Sequence, residues 1–218
     1  MLKALNSLNK EKKIRNFKYA DHKTYQQYIE IDPKGTIPMG KMLGFYDNTI
    51  VNGAWDNQAT WNREHVWPNS RGGSSVEGDL HMVRPTSVKI NSERGNDVYG
   101  TVTGSYDPGQ YYAEYRGIAS RIIFYCAIAN TSLVLSDDIE NHGDNMGILS
   151  TMLRWNLEYL PEGKESSSLA YRVEWHRNET IATDSRLQGN RNPFIDHPEY
   201  ACKIWGNTDA NTRAACGM

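Results

Sequence analysis

Long apolar runs are missing from this chain. The most apolar stretch, I-I-F-Y-C-A-I-A from Ile122 to Ala129, is bracketed by Arg121 and Asn130, well short of the roughly 18 residues that a membrane span needs. It reads as part of a buried helix, and no membrane partner is expected. Cysteine is scarce as well: Cys126, Cys202 and Cys216 are the only three, too few for a disulfide scaffold. Cys126 lies in the apolar stretch, the ordinary place for a buried free thiol, whereas Cys202 and Cys216 could pair in an oxidising compartment. Neither sign of charge prevails. With 24 Lys and Arg against 26 Asp and Glu, capture of nucleic acid by bulk charge is excluded, although a local basic groove remains open. The K-E-K-K-I-R run from Lys10 to Arg15 reads as a solvated start to the chain. The first ten residues lack an apolar core of signal-peptide length, and the sequence holds no internal repeat or low-complexity tract.

What is present is a globular composition, with 218 residues, 39% hydrophobic and 23% charged. That is enough for one good core, so a single domain over residues 1–218 is expected. Patterning predicts a short helix over Thr24 to Ile31, a strand from Trp61 to Trp67, a loop from Pro68 to Gly78 and a second strand from Asp79 to Val83. A helix capped by Thr86 or Ser87 and stopped by Gly95 follows. Gly117 to Leu135 reads as the central buried helix, Ser150 to Leu160 as an amphipathic one, Pro161 to Ser168 as a surface loop, and Asp196 to Trp205 as the last helix. Asp196 is expected to cap that helix and Gly206 to stop it. The fold class is α+β, helix-rich in its second half, with any chemistry on the strand-loop-strand-helix unit.

The segment W-N-R-E-H-V-W-P-N-S, Trp61 to Ser70, carries the densest chemical potential. Cleaving a phosphodiester takes an activated water, charge stabilisation on the phosphoryl oxygens and relief for the leaving oxygen. An imidazole with a pKa near 6.5 accepts the water's proton at neutral pH, a divalent ion neutralises charge, and a guanidinium clamps the phosphate. His65 suits the first task. A magnesium-type ion is held by one or two protein oxygens and keeps several waters, and Glu64 and Asn91 are the candidate oxygens. Neighbouring side chains of a regular strand point to opposite faces, so the strand is expected to end or bulge at Glu64 and His65.

Three separated segments, W-N-R-E-H-V-W-P-N-S, D-L-H-M-V-R-P-T-S-V-K-I-N-S-E-R-G-N and Q-G-N-R-N-P-F-I-D-H-P-E-Y, resemble the bacterial endonuclease I family. The resemblance covers roughly two thirds of the chain. It implies a His-Me finger, or ββα-metal unit, at about residues 61–96 within a mostly helical surround. It also implies a nuclease acting on DNA and possibly RNA with little sequence preference, leaving 5′ phosphates. The family pattern makes His65 the general base, with Glu64 and Asn91 as ligands of one divalent ion, Mg2+ first, with Ca2+ or Mn2+ open. A loop arginine that holds the scissile phosphate maps onto Arg71, with Arg63 and Arg94 as further candidates for nucleic-acid contact. An extracellular or periplasmic location and a monomer without organic cofactor are expected.

Several other residues carry plainer readings. His81 could join His65 on zinc, but His81 and Asp79 are expected to be structural. Most of the Q-G-N-R-N-P-F-I-D-H-P-E-Y segment is read as packing and capping, His197 included, although Arg191 could reach a substrate cleft. His22, His142 and His176 have no constellation around them. Trp55, Trp61, Trp67, Tyr111, Tyr112 and Tyr115 could stack on bases, with core packing the commoner use. The alternatives to a nuclease are a catalytically silent nucleic-acid-binding protein, whose signature would be loss of His65, Glu64 or Asn91, and a phosphoesterase of small substrates.

Overall fold

The computed structural model describes residues 1–138, 143 and 145–218, so the expectation for His142 lies outside the described residues. Helices α1 (Leu2–Lys12) and α2 (His22–Ile29) come first, then strands β1 (Lys41–Leu43), β2 (Ile50–Asn52), β3 (Trp61–His65) and β4 (Val83–Ser87). Helix α3 (Val88–Arg94) and strands β5 (Val98–Tyr99) and β6 (Ser105–Tyr106) follow. The remainder is helical: α4 (Tyr115–Ala129), α5 (Leu149–Glu158), α6 (Leu169–Thr183), α7 (Pro193–Asp196), α8 (Tyr200–Trp205) and α9 (Ala210–Ala215). The strands pair two by two, β1 with β2 and β3 with β4 antiparallel, β5 with β6 parallel. This is α+β architecture, and among the described residues no helix is long and apolar enough to cross a membrane.

Helix α4 forms because thirteen of its fifteen residues bury, and the apolar ones join the largest core cluster with residues of α5, β4 and α7. It stops at Asn130, earlier than its apolar pattern suggests, because the Asn130 side chain accepts the Ser132 amide at 3.0 Å and so offers the backbone a local turn. Buried Arg121 on α4 clasps Glu174 of α6 at 2.7 and 2.9 Å. Arg172 of α6 holds Asp32, and Arg177 holds Glu30 at 2.8 Å. These inward charges hide the amphipathic pattern of α6, which the sequence reading passes over despite the Ser168 cap.

Other boundaries move for local reasons. The second strand runs over Val83–Ser87 rather than Asp79 to Val83. Asp79 accepts the His81 amide on its side chain and the Met82 amide on its carbonyl, which makes a turn of that stretch. Pro85 is tolerated because its carbonyl takes the Phe45 amide at 2.7 Å and no ladder needs an N–H from it. The last helix is split at Pro198, and Asn192, not Asp196, caps the first piece. The Lys10 to Arg15 run is not simply solvated: Lys13 reaches buried Asp79 at 3.2 Å, and Ile14 donates its amide to Gln188. Cys202 and Cys216 form a disulfide and Cys126 is a buried free thiol.

Candidate active site

β3 and β4 pair without a bulge, Glu64 opposite Arg84 and His65 opposite Val83, and β3 ends at His65. Strand alternation therefore sends Glu64 and His65 to different neighbours. The His65 side chain is 15% exposed; its Nε2–H donates to Glu77 Oε2 at 3.3 Å, and its ring lies 4.4 Å from that of Tyr19. A carboxylate at Nε2 fixes the proton there and leaves Nδ1 as the basic nitrogen. Burial lowers the pKa of His65, partly countered by Glu77, so the imidazole is neutral at pH 7 and able to accept a proton.

The backbone behind Glu77 is held by a second histidine. His22 is buried; its Nε2–H donates to the Glu77 carbonyl at 3.0 Å, and its Nδ1 accepts from Gln26 at 2.8 Å. Burial, then the Arg177 charge, lower its pKa to about 3, so it stays neutral. Arg63 shares the strand face of His65. Its guanidinium sits 3.8 Å from the Tyr19 ring centre and 5.2 Å from that of Trp55, and donates to the Tyr19 carbonyl at 2.8 Å.

Glu64 is 4% exposed. The Tyr46 hydroxyl donates to its Oε1 at 2.9 Å, and Arg94 Nε approaches the same oxygen at 2.9 Å. Burial raises the Glu64 pKa to about 7 against the pull of Arg94 and Tyr46. Arg94, despite burial, is held above its ordinary value by Tyr99, Glu64 and Tyr46. The two shifts favour opposite states of the carboxyl; the close Arg94 contact argues for the ionised pair. Arg94 is fully buried, which corrects the expectation that it reaches nucleic acid: it stands behind Glu64, with its other nitrogens on the carbonyls of Val66 and Gly95.

Three oxygen-bearing groups on this unit keep unfilled capacity. Glu64 Oε2 and the half-buried Asn91 side chain accept no hydrogen bond among the described residues, and Asn62 Oδ1, two positions before Glu64 on β3, is buried without a partner. Carboxylate and amide oxygens suit a magnesium-type ion and not zinc. Among the described residues no group of three or more His, Cys, Asp or Glu side chains could hold a metal. His81 instead donates from Nε2 to the Asn190 carbonyl at 3.0 Å against the Tyr125 ring. Asp79 is equally structural, gathering Gln188, Tyr125 and Lys13.

Arg71 spends Nε on the Asn96 carbonyl at 2.8 Å and Nη1 on those of Gly143 and Asn145. Arg191 is tied to Glu179 and Asp196. Trp61 and Trp67 are buried, as is Tyr115, while Tyr111 and Tyr112 are exposed. Glu77, Tyr46 and Tyr19 were not found from sequence. Each reaches the site from a loop or short turn, at separations of 12, 18 and 44 residues from its hydrogen-bond partner, and no local spacing rule links them.

The strand pair and helix thus carry a histidine whose Nε2 meets a carboxylate, together with carboxylate and amide oxygens without partners among the described residues, groups that suit phosphodiester cleavage. The Endonuclease I family model matches residues 4–199, and the chain belongs to that family of nucleases. It is 37% identical over 166 residues to an extracellular ribonuclease of Bacillus amyloliquefaciens, covering 66% of this chain and 54% of that protein. An extracellular ribonuclease of Bacillus subtilis is 34% identical over 170 residues, 68% of this chain and 55% of that protein. The chain thus spans about half the length of these curated relatives. No solved structure matches it.

Proposed function

We propose that this chain is a divalent-metal-dependent endonuclease whose residues 61–96 form a His-Me finger, cleaving RNA and DNA with little sequence preference and leaving 5′ phosphates. The observation that carries the reading is the orientation of His65, held at Nε2 by Glu77 so that Nδ1 is free to take a proton from water, on the strand that also carries Glu64. Glu64 Oε2 and Asn91 are the proposed ligands of one ion, Mg2+ first, with Ca2+ and Mn2+ as alternatives. When bound, the ion neutralises phosphoryl charge and favours departure of the 3′ oxygen.

The chain's own groups do the rest. His65 accepts the proton of the attacking water, while Arg63 and Arg71, each with one amino nitrogen lacking a partner among the described residues, hold the phosphate. Such backbone contact specifies no sequence. RNA is included because the curated relatives are named ribonucleases. Action outside the cytoplasm is favoured by those names and by the disulfide. Residues 1–218 are read as one catalytic unit acting as a monomer.

The test is cleavage of supercoiled plasmid and of single-stranded RNA by wild type and His65→Ala, each with Mg2+ or excess chelator. Wild-type cutting should vanish with chelator and fall about 10²–10⁴-fold in His65→Ala. A wild-type protein that binds both substrates yet cuts neither with Mg2+, Mn2+ or Ca2+ would leave the ββα unit as a binding scaffold.

A further inference from the structure

Both donors that meet Glu64 end on one oxygen. Tyr46 OH and Arg94 Nε each lie 2.9 Å from Oε1, and Oε2 takes nothing among the described residues. Arg94 Nε makes no aligned hydrogen bond, so it supplies charge while Tyr46 supplies the directed bond. Neither donor is free to turn. Arg94 is pinned by its bonds to the Val66 and Gly95 carbonyls, at 3.1 and 2.9 Å. The Tyr46 ring is fully buried against Phe45 and Tyr106, at 4.3 and 5.3 Å between centres. Its hydroxyl is hydrogen-bonded to that of Tyr99; since Tyr46 donates to Glu64, Tyr99 is the donor in that bond. Tyr46 also holds a φ of 78°, a left-handed backbone that a bulky L residue adopts only when its surroundings enforce it. The loop between β1 and β2, in which Asn48 is left-handed as well (φ 57°), thus delivers a buried phenol to one carboxylate oxygen.

We propose that Tyr46, backed by Tyr99, sets the ion selectivity of the site by saturating Oε1, so that Glu64 offers a cation a single oxygen. The inference rests on the reading of Glu64 as a metal ligand. A small ion of octahedral habit, Mg2+ or Mn2+, is satisfied by one carboxylate oxygen and its own waters, whereas the larger Ca2+ readily takes both oxygens of a carboxylate. Removing the phenol hydroxyl takes away the one directed bond at Oε1, leaving there only the unaligned Arg94 charge, which lets a cation make a second contact and shifts preference toward Ca2+. Tyr46 acts through Glu64 and is a positioning residue.

The experiment follows Mn2+ binding by electron paramagnetic resonance in the absence of nucleic acid, with Mg2+ and Ca2+ as competitors, for wild type, Tyr46→Phe, Tyr99→Phe and Glu64→Gln. Tyr46→Phe should change the ratio of Ca2+ to Mg2+ competition about tenfold in favour of Ca2+, the scale of losing a hydrogen bond to a charged group. Tyr99→Phe should move it the same way by less, and carries the test if Tyr46→Phe does not fold by circular dichroism. A ratio unchanged within about twofold in the folded variants, with Mn2+ still bound, overturns the selectivity role alone. Mn2+ binding that survives in Glu64→Gln overturns the ligand assignment beneath it.

Discussion

Glu77 is the residue whose removal should speak most directly about the base. Its carboxylate accepts from His65 Nε2, which leaves Nδ1 as the basic nitrogen and, against the larger effect of burial, raises the imidazole pKa. Glu77→Gln should therefore lower the plateau rate about tenfold through lost orientation. The same change should move the acid limb of the pH–rate profile to lower pH, because a His65 that loses its anionic neighbour stays neutral further down. A rate that falls without any movement of the limb would mean that Glu77 only supports the loop. At this scale the site was only partly legible in the sequence. His65, Glu64, Asn91 and Arg63 could be named because they sit in contiguous motifs; Glu77, Tyr46 and Tyr19 could not, because their roles arise from folding distant loops against β3. Arg94 was misplaced because spacing along α3 says which residues share a helix face but not which face is buried.

At the scale of elements, periodicity revealed α2, β3, α3 and α5 to within a few residues and α4 except for its end, expected at Leu135 but found at Ala129, since each shows one apolar face or a run. It failed where polar groups turn inward, as in α6 with buried Arg172, Glu174 and Arg177, and where a turn competes with a strand, as at Asp79. The C-terminal helices offer a test of element independence. The Cys202 to Cys216 disulfide joins α8 to the residue after α9 across 14 positions. A loop of that size restrains the unfolded chain by about 3 kcal/mol, so reduction should lower the melting temperature by roughly 6–12 °C. None of the proposed site residues lies on α8 or α9, so cleavage at 25 °C should persist in reductant. Calorimetry with and without reductant, paired with a cleavage assay on the same samples, checks both halves; activity lost at a temperature where the protein remains folded would tie the disulfide to the site.

Across the whole molecule, acid should unfold this protein earlier than its modest net charge suggests. His22 and His81 are both buried and neutral, with pKa values lowered chiefly by burial to about 3 and about 4, against about 6.5 in an unfolded chain. Between pH 6.5 and those values the unfolded state binds protons that the native state refuses, so stability falls as pH falls. At pH 4.5 the loss is roughly 2–3 kcal/mol for each histidine, a large part of a typical domain's stability. Urea midpoints at pH 7 and pH 4.5 measure the slope, and the protein should be less stable at pH 4.5. A flat profile would show that His22 and His81 accept protons without unfolding the chain, and would undo the assignment of both as neutral struts behind Glu77 and Asp79.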